Sequence, residues 1–99
     1  MSVTGEFIRA VSGCVEFLER ASSVSPPWGS RLLSARAIAA RDLSTAAERV
    51  LAFDVGTERI SKLGFPSDSE TAEFRERCDH MLTLARVITG VPRGGGDVG

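Results

Sequence analysis

The sequence predicts an all-α fold, an up-down-up three-helix bundle with a short additional helix or turn near residues 57–63. Apolar residues recur at alternating spacings of three and four in three long stretches, which is the helical period. No run of four or more residues alternates in the way typical of a strand. The connections are short, so neighbouring helices should run antiparallel. We expect one helical domain over 1–91, with helices at about 4–21, 30–54 and 68–89, and a disordered Gly-rich tail over 92–99.

The first predicted helix begins with Thr4 as N-cap and carries Glu6 in its first turn, where an acid suits the helix dipole. Ile8 and Val15 widen its apolar face beyond what a terminal helix of a three-helix bundle needs. We therefore expect the 55–66 segment or another chain to cover them. The central apolar stripe consists of Phe7, Val11, Cys14, Leu18 and Ala21.

The second predicted helix, Ser30 to Asp54, has an apolar arc wide enough to lie between two neighbours. Ile38 falls on its polar face, which is unusual for an isolated monomer, and Arg36 projects into the apolar arc. Its first stripe consists of Leu32, Ala35, Ala39, Leu43, Ala46, Val50 and Phe53.

The connector before that helix is rich in Ser, Pro and Gly, and either Ser25 or Ser30 could cap the helix. Trp28 should close the end of the bundle beside the helix start, or bind a partner there.

The last predicted helix has the clearest start signal, because Ser67 and Glu70 have the spacing of a capping box. Gly90 marks its end. Before it, Ile60 and Leu63 in the short 57–63 segment should form a lid over the core.

Composition argues against several classes of function. The net charge of −1 predicts no attraction to nucleic acid or to an acidic membrane. Glu6 and Arg9 interrupt the N-terminal segment, so we predict neither a secretory signal nor a membrane span, and a cytoplasmic location. No cofactor or small-molecule site is evident in the sequence.

The two cysteines, Cys14 and Cys78, lie far apart in a chain with a single histidine, so no metal site is predicted. Each falls on the apolar stripe of its own helix. We expect free thiols in the core, where cysteine behaves as a small hydrophobe.

Any catalytic function predicted from the sequence depends on His80. Arg75 and His80 have the R-x4-H spacing and so resemble helical ribonucleases of the HEPN type, which implies that both residues are catalytic. Five residues, however, turn a regular helix through about 140° net, which separates the two side chains. The residue after the arginine is an acid, Glu76, and it could instead form a helical pair with His80.

A second resemblance involves the stretch CDHMLTLARVITG, which is similar to the histidine box of two-component phosphotransfer proteins. It implies that an exposed His80 accepts a phosphoryl group. Residues Thr83 to Arg86 depart from that pattern, since they supply neither the usual lysine nor the usual glycine.

Charges should separate toward the two ends of a three-helix bundle. Acidic residues at one end would oppose a basic end formed by Arg20, Arg31, Arg36 and Arg86. Such polarity would favour docking onto a charged protein surface or head-to-tail assembly.

Together these observations predict a small non-catalytic protein–protein interaction module, an adaptor, assembly subunit or regulator. Its partner would be another protein or a second copy, as in a homodimer. The predicted partner-binding residues are Ile8, Val15, Ile38 and Trp28. The alternatives are a helical-bundle ribonuclease and a histidine phosphotransfer protein that use His80.

Overall fold

The computed structural model describes residues 2–21, 27–55 and 59–90 of the chain. It confirms the all-α bundle, and these residues contain no strand. A short 3₁₀ helix, Ile60–Lys62, lies within the segment where an additional helix or turn was predicted. The four α-helices are α1 (Val3–Ala21), α2 (Pro27–Ala39), α3 (Leu43–Ala52) and α4 (Asp68–Thr89).

The four helices form a ring in which each packs mainly against two others. Helix α1 contacts α2 and α4, and α3 contacts the same two helices from the opposite side. Helices α1 and α4 are antiparallel, because Phe17 packs on Phe74 whereas the earlier residue Gly13 contacts the later residue Arg77. The N-terminus of α1 therefore lies beside the C-terminal half of α4.

The prediction of one helix over residues 30–54 was wrong, because the chain turns at Ala40 to Asp42. Asp42 has extended backbone angles (φ −146°, ψ 90°), and its carboxylate accepts hydrogen bonds from the backbone N–H of Thr45 (3.2 Å) and its hydroxyl (2.8 Å). The Asp42 backbone N–H donates to the Ile38 carbonyl, which closes α2. A capped Asp starts a new helix. The apolar spacing continues across this turn, so periodicity alone did not reveal it.

The Asp42 cap makes stability depend on pH. The Thr45 hydroxyl, and then the Thr45 backbone N–H, hold the pKa of Asp42 below its usual value. Because the folded pKa is the lower one, this stabilisation is present above the unfolded pKa of about 4 and is lost as pH falls through the folded pKa. We expect Asp42→Ala to lower the urea midpoint of unfolding at pH 7. At pH 3 the midpoints of the variant and the natural chain should lie closer together.

Asp42→Asn is the matched control for this prediction, because it keeps an acceptor for Thr45 but cannot titrate. At pH 7 the urea midpoint of Asp42→Asn should lie close to that of the natural chain. The midpoint of Asp42→Ala should lie further below it. An Asp42→Ala effect of equal size at pH 3 and pH 7 would contradict the role assigned to the charged cap.

The other helix ends test the predicted caps. Ser2, and not Thr4, caps α1, because its hydroxyl accepts from the backbone N–H of Gly5 (3.1 Å). The proposal of Ser30 as a cap was wrong, since α2 already begins at Pro27. The other candidate, Ser25, and the predicted tail over 92–99 lie outside the described residues.

The predicted boundaries of α4 agree with the structure. The hydroxyl of Ser67 accepts from the backbone N–H of Glu70 (3.4 Å), as expected for an N-cap. Gly90 ends the helix with φ of 76°, the left-handed conformation that glycine adopts without steric cost. Helix α4 is therefore positioned by local signals at both ends.

The core is aromatic at the end of the bundle where α1 ends and α4 begins. The Phe17, Phe65 and Phe74 rings are mutually in contact, with centroids 5.2 to 5.5 Å apart. Ile60 is fully buried, so the 3₁₀ helix does cover the core as predicted. These contacts fix the spacing between α1 and α4.

Candidate functional site

A groove runs between α1 and α4 on the surface that the structure describes. One cavity in it has a volume of about 280 Å³. Its wall combines charged side chains with two small residues, which leave room between the helices. We call this surface the α1–α4 groove, and the residues that line the cavity are Glu6, Arg9, Ala10, Gly13, Arg77 and His80.

Arg77 is held in a fixed position across the groove. Its Nη1 donates to the Gly13 carbonyl at 3.1 Å, and its Nη2 donates to Glu73 Oε2 at 2.9 Å. Its guanidinium also lies 5.6 Å from the centre of the Phe17 ring, within cation–π distance. A Cβ atom on residue 13 would come within 3.3 Å of Arg77 Nη1, so glycine gives the arginine its space.

The groove continues beyond Arg77 toward the C-terminus of α1. A second, more open cavity there is lined by Glu16, Glu19, Arg20 and Arg77. Arg20 approaches Glu73 at 3.8 Å, but two-thirds of its side chain is exposed. Arg77 thus separates two neighbouring depressions on the same face of the bundle.

Several charges in the groove have no partner within the described part of the chain. Glu6, Arg9 and Glu16 make no ion pair within 4.0 Å there, although Glu6 and Arg9, like Glu16 and Arg20, have helical pairing spacings. The described ion pairs instead use Glu73, with Arg20 and Arg77. The unpaired groups are available to a binding partner.

The structure places the predicted partner-binding residues differently. Val15 is only 4% exposed and Trp28 only 8%, and the Trp28 ring packs edge-on against Phe53. Ile8 and Ile38 are half-buried and pack against the core. The expectation that Ile8, Val15 and Ile38 are surplus exposed surface was therefore wrong, because all three pack in or against the core of the four-helix ring.

The predicted basic end was also wrong. Arg20 lies beside Glu73 in the first turns of α4, whereas Arg86 is 13 residues further along that helix, or about 20 Å at the helical rise. Arg31 stacks over the Trp28 ring, and Arg36 donates to the Ser12 hydroxyl. The extra turn at Ala40 to Asp42 reverses the chain once more than predicted, which sends the end of α4 away from the end of α1.

His80 lines the groove, but the residue predicted to act with it does not. Arg75 is exposed on α4 and is not part of the cavity wall. The structure instead places His80 with Arg9 and Arg77. The sequence assigned Arg77 no role and Arg9 none in a site, since only the register between α1 and α4 brings them together.

The two cysteines meet beneath the groove, and the prediction of free thiols in the core is confirmed. Cys14 and Cys78 are both fully buried, on facing surfaces of α1 and α4. The hydrogen bond from Cys78 lowers the pKa of the Cys14 thiol, with a smaller contribution from the charge of Arg77, while burial opposes them. The same hydrogen bond and burial raise the pKa of Cys78 far above its usual value.

Neither a metal-ligand cluster nor a membrane-spanning helix is found among the described residues. They contain no group of three or more His, Cys, Asp and Glu side chains arranged to hold a metal ion. None of their helices combines the length and the apolar character needed to cross a membrane. Comparisons with protein families, with curated proteins and with solved structures found no match for this chain.

Proposed function

We propose that this chain is a non-catalytic protein–protein interaction module that binds its partner in the α1–α4 groove. The observation that carries the proposal is the groove itself, a concave surface whose charged side chains are largely unpaired in the described chain. Ala10 is small and would let a partner approach α1 there, whereas Arg77 already lies over Gly13. A polar, charged rim around a close contact is typical of protein interfaces.

Exposed apolar side chains lie at one end of the helix pair that forms the groove. Val3 begins α1 and Val87 lies in the last turns of α4, and the antiparallel packing brings these two ends together. Val87 is 66% exposed. A partner lying along the groove would cover apolar surface at this end and meet charges along the rest of its length.

Catalysis by His80 has less support than binding. The ribonuclease alternative requires Arg75 and His80 in one site, but the cavity beside His80 is lined by Arg77 and Arg9 instead. The phosphotransfer alternative requires only an exposed histidine, and His80 is exposed. A binding groove uses His80 as one of several rim groups and needs no chemistry from it.

A photo-crosslinker in the groove tests the proposed function. In the cells that make the protein, a benzoylphenylalanine at position 80 should form adducts with a protein on irradiation. The same residue at position 34, exposed on α2, is the matched control and should form at least about tenfold less adduct. Equal yields at both positions, or none at either, would refute the assignment of the groove as the binding surface.

A further inference from the structure

The charged residues along the rim of α1 follow an ordered pattern. Glu6, Arg9, Gly13, Glu16 and Arg20 recur at alternating spacings of three and four, so they lie on one stripe of the helix. All five line the groove cavities. We call this row the α1 stripe, and its charges read negative, positive, neutral, negative, positive.

The charges of the α1 stripe are complementary to those of an antiparallel copy of the same stripe. Glu6 and Arg20 each lie seven residues from Gly13 and have opposite charges. Arg9 and Glu16 lie four and three residues from it on opposite sides, and they also have opposite charges. Reversing the direction of the helix about Gly13 therefore places an opposite charge at, or within one residue of, each charged position.

From this pattern we propose that the groove binds a second copy of this chain, with the two α1 helices antiparallel and a two-fold axis near Gly13. Glu6 would then face Arg20 of the partner subunit, and Arg9 would face Glu16 of the partner subunit. Two-fold symmetry repeats each contact, so four ion pairs flank a centre at which α1 has only Gly13, with Arg77 of α4 lying beside it. This inference rests on the proposed function and names its partner.

The charges also select the direction of pairing. In a parallel arrangement at equal register, each residue of the α1 stripe would face its own copy, so Glu6 would meet Glu6 of the partner subunit and Arg9 would meet Arg9 of the partner subunit. Like charges in contact are destabilising. The antiparallel arrangement replaces all these repulsions with attractions.

Local pairing within α1 does not account for the pattern in this structure. The Glu6–Arg9 and Glu16–Arg20 spacings would allow intrahelical ion pairs, but neither forms within 4.0 Å in the described chain. Arg20 reaches across to Glu73 instead, at 3.8 Å and with most of its side chain in solvent. A long, exposed pair of this kind is readily exchanged for a contact with a second copy.

Charge reversal with rescue tests the proposed dimer. Light scattering on the purified full chain should show a mass that rises from one chain to two with concentration, and less so at high salt. Arg9→Glu or Glu16→Arg alone should weaken the dimer about tenfold, since each creates two like-charge contacts by symmetry. The double variant Arg9→Glu with Glu16→Arg should restore most of the affinity, because it exchanges the two charges.

Matched controls lie on α3, which packs mainly against α2 and α4. Arg49→Glu and Glu48→Arg make the same changes in net charge at exposed positions and should leave the dimer unchanged. This interface would be overturned if Arg9→Glu and Glu16→Arg left the dimer affinity unchanged. It would also be overturned if the double variant did not recover the affinity.

A chain that stays monomeric at every concentration would overturn the self-association. Crosslinking at position 80 then separates the two proposals. Adducts with a different protein would support the interaction module and refute the dimer. The absence of adducts would refute both proposals. Adducts of twice the chain mass, together with charge rescue, would support both.

Discussion

Replacing Phe74 with alanine should cost about 3–5 kcal/mol of unfolding free energy, the usual range for removing a buried aromatic ring. Phe74 is fully buried, and its ring contacts both Phe17 and Phe65. The substitution would open a cavity where α1, α4 and the segment before α4 meet. Since small domains are stable by only about 5–15 kcal/mol, this one change removes a large share of the total.

Guanidinium denaturation followed by circular dichroism measures this loss. Val87→Ala is the control on the same helix, since Val87 is exposed and its truncation should change stability by about 0.5 kcal/mol or less. Phe74→Leu provides a milder variant if Phe74→Ala does not fold. A Phe74→Ala midpoint equal to that of Val87→Ala would contradict the aromatic core described here.

Both thiols should react with a disulfide reagent at least about a thousandfold more slowly in the folded chain than in urea. Cys14 and Cys78 are fully buried, so the reagent reaches them only when the structure opens. Opening free energies of about 5 kcal/mol or more correspond to protection of this size. The rise in absorbance of the released thiol measures the rate.

A cysteine at position 34 supplies the exposed reference, because Ser34 lies on the solvent side of α2. In the Ser34→Cys chain, one thiol should react quickly and two slowly. Two or three fast thiols without denaturant would show that α1 and α4 do not pack as described. Adding Phe74→Ala to the Ser34→Cys chain should make the two slow thiols react faster. Thiol burial and the aromatic packing both depend on the contact between α1 and α4.

Local signals in the sequence were sufficient for much of the fold. The apolar period identified helical segments, and Ser67 and Gly90 marked the ends of α4 because capping depends on residues within one turn. The burial of Cys14 and Cys78 followed from their place on apolar stripes. The turn at Asp42 was missed, although Asp42 and Thr45 carry a capping signal, because the apolar spacing runs through it.

The missed turn explains the wrong predictions for the surface. In the four-helix ring α1 packs between α2 and α4, and Val15 is buried there and not part of a binding surface. The same reversal places Arg20 of α1 beside Glu73, 13 residues along α4 from Arg86. Missing the turn at Asp42 therefore led to wrong predictions for both the partner-binding surface and the basic end.

The sequence by itself determined that this protein is helical, where its last helix begins and ends, and which side of each helix is apolar. The tertiary structure decided which helix covers each side, and so it decided which charges meet. Periodicity reports the direction in which a side chain points from its own helix, whereas a groove depends on the register between two helices. Arg9, Arg77 and His80 share a site only because α1 and α4 pack antiparallel with Gly13 against Arg77.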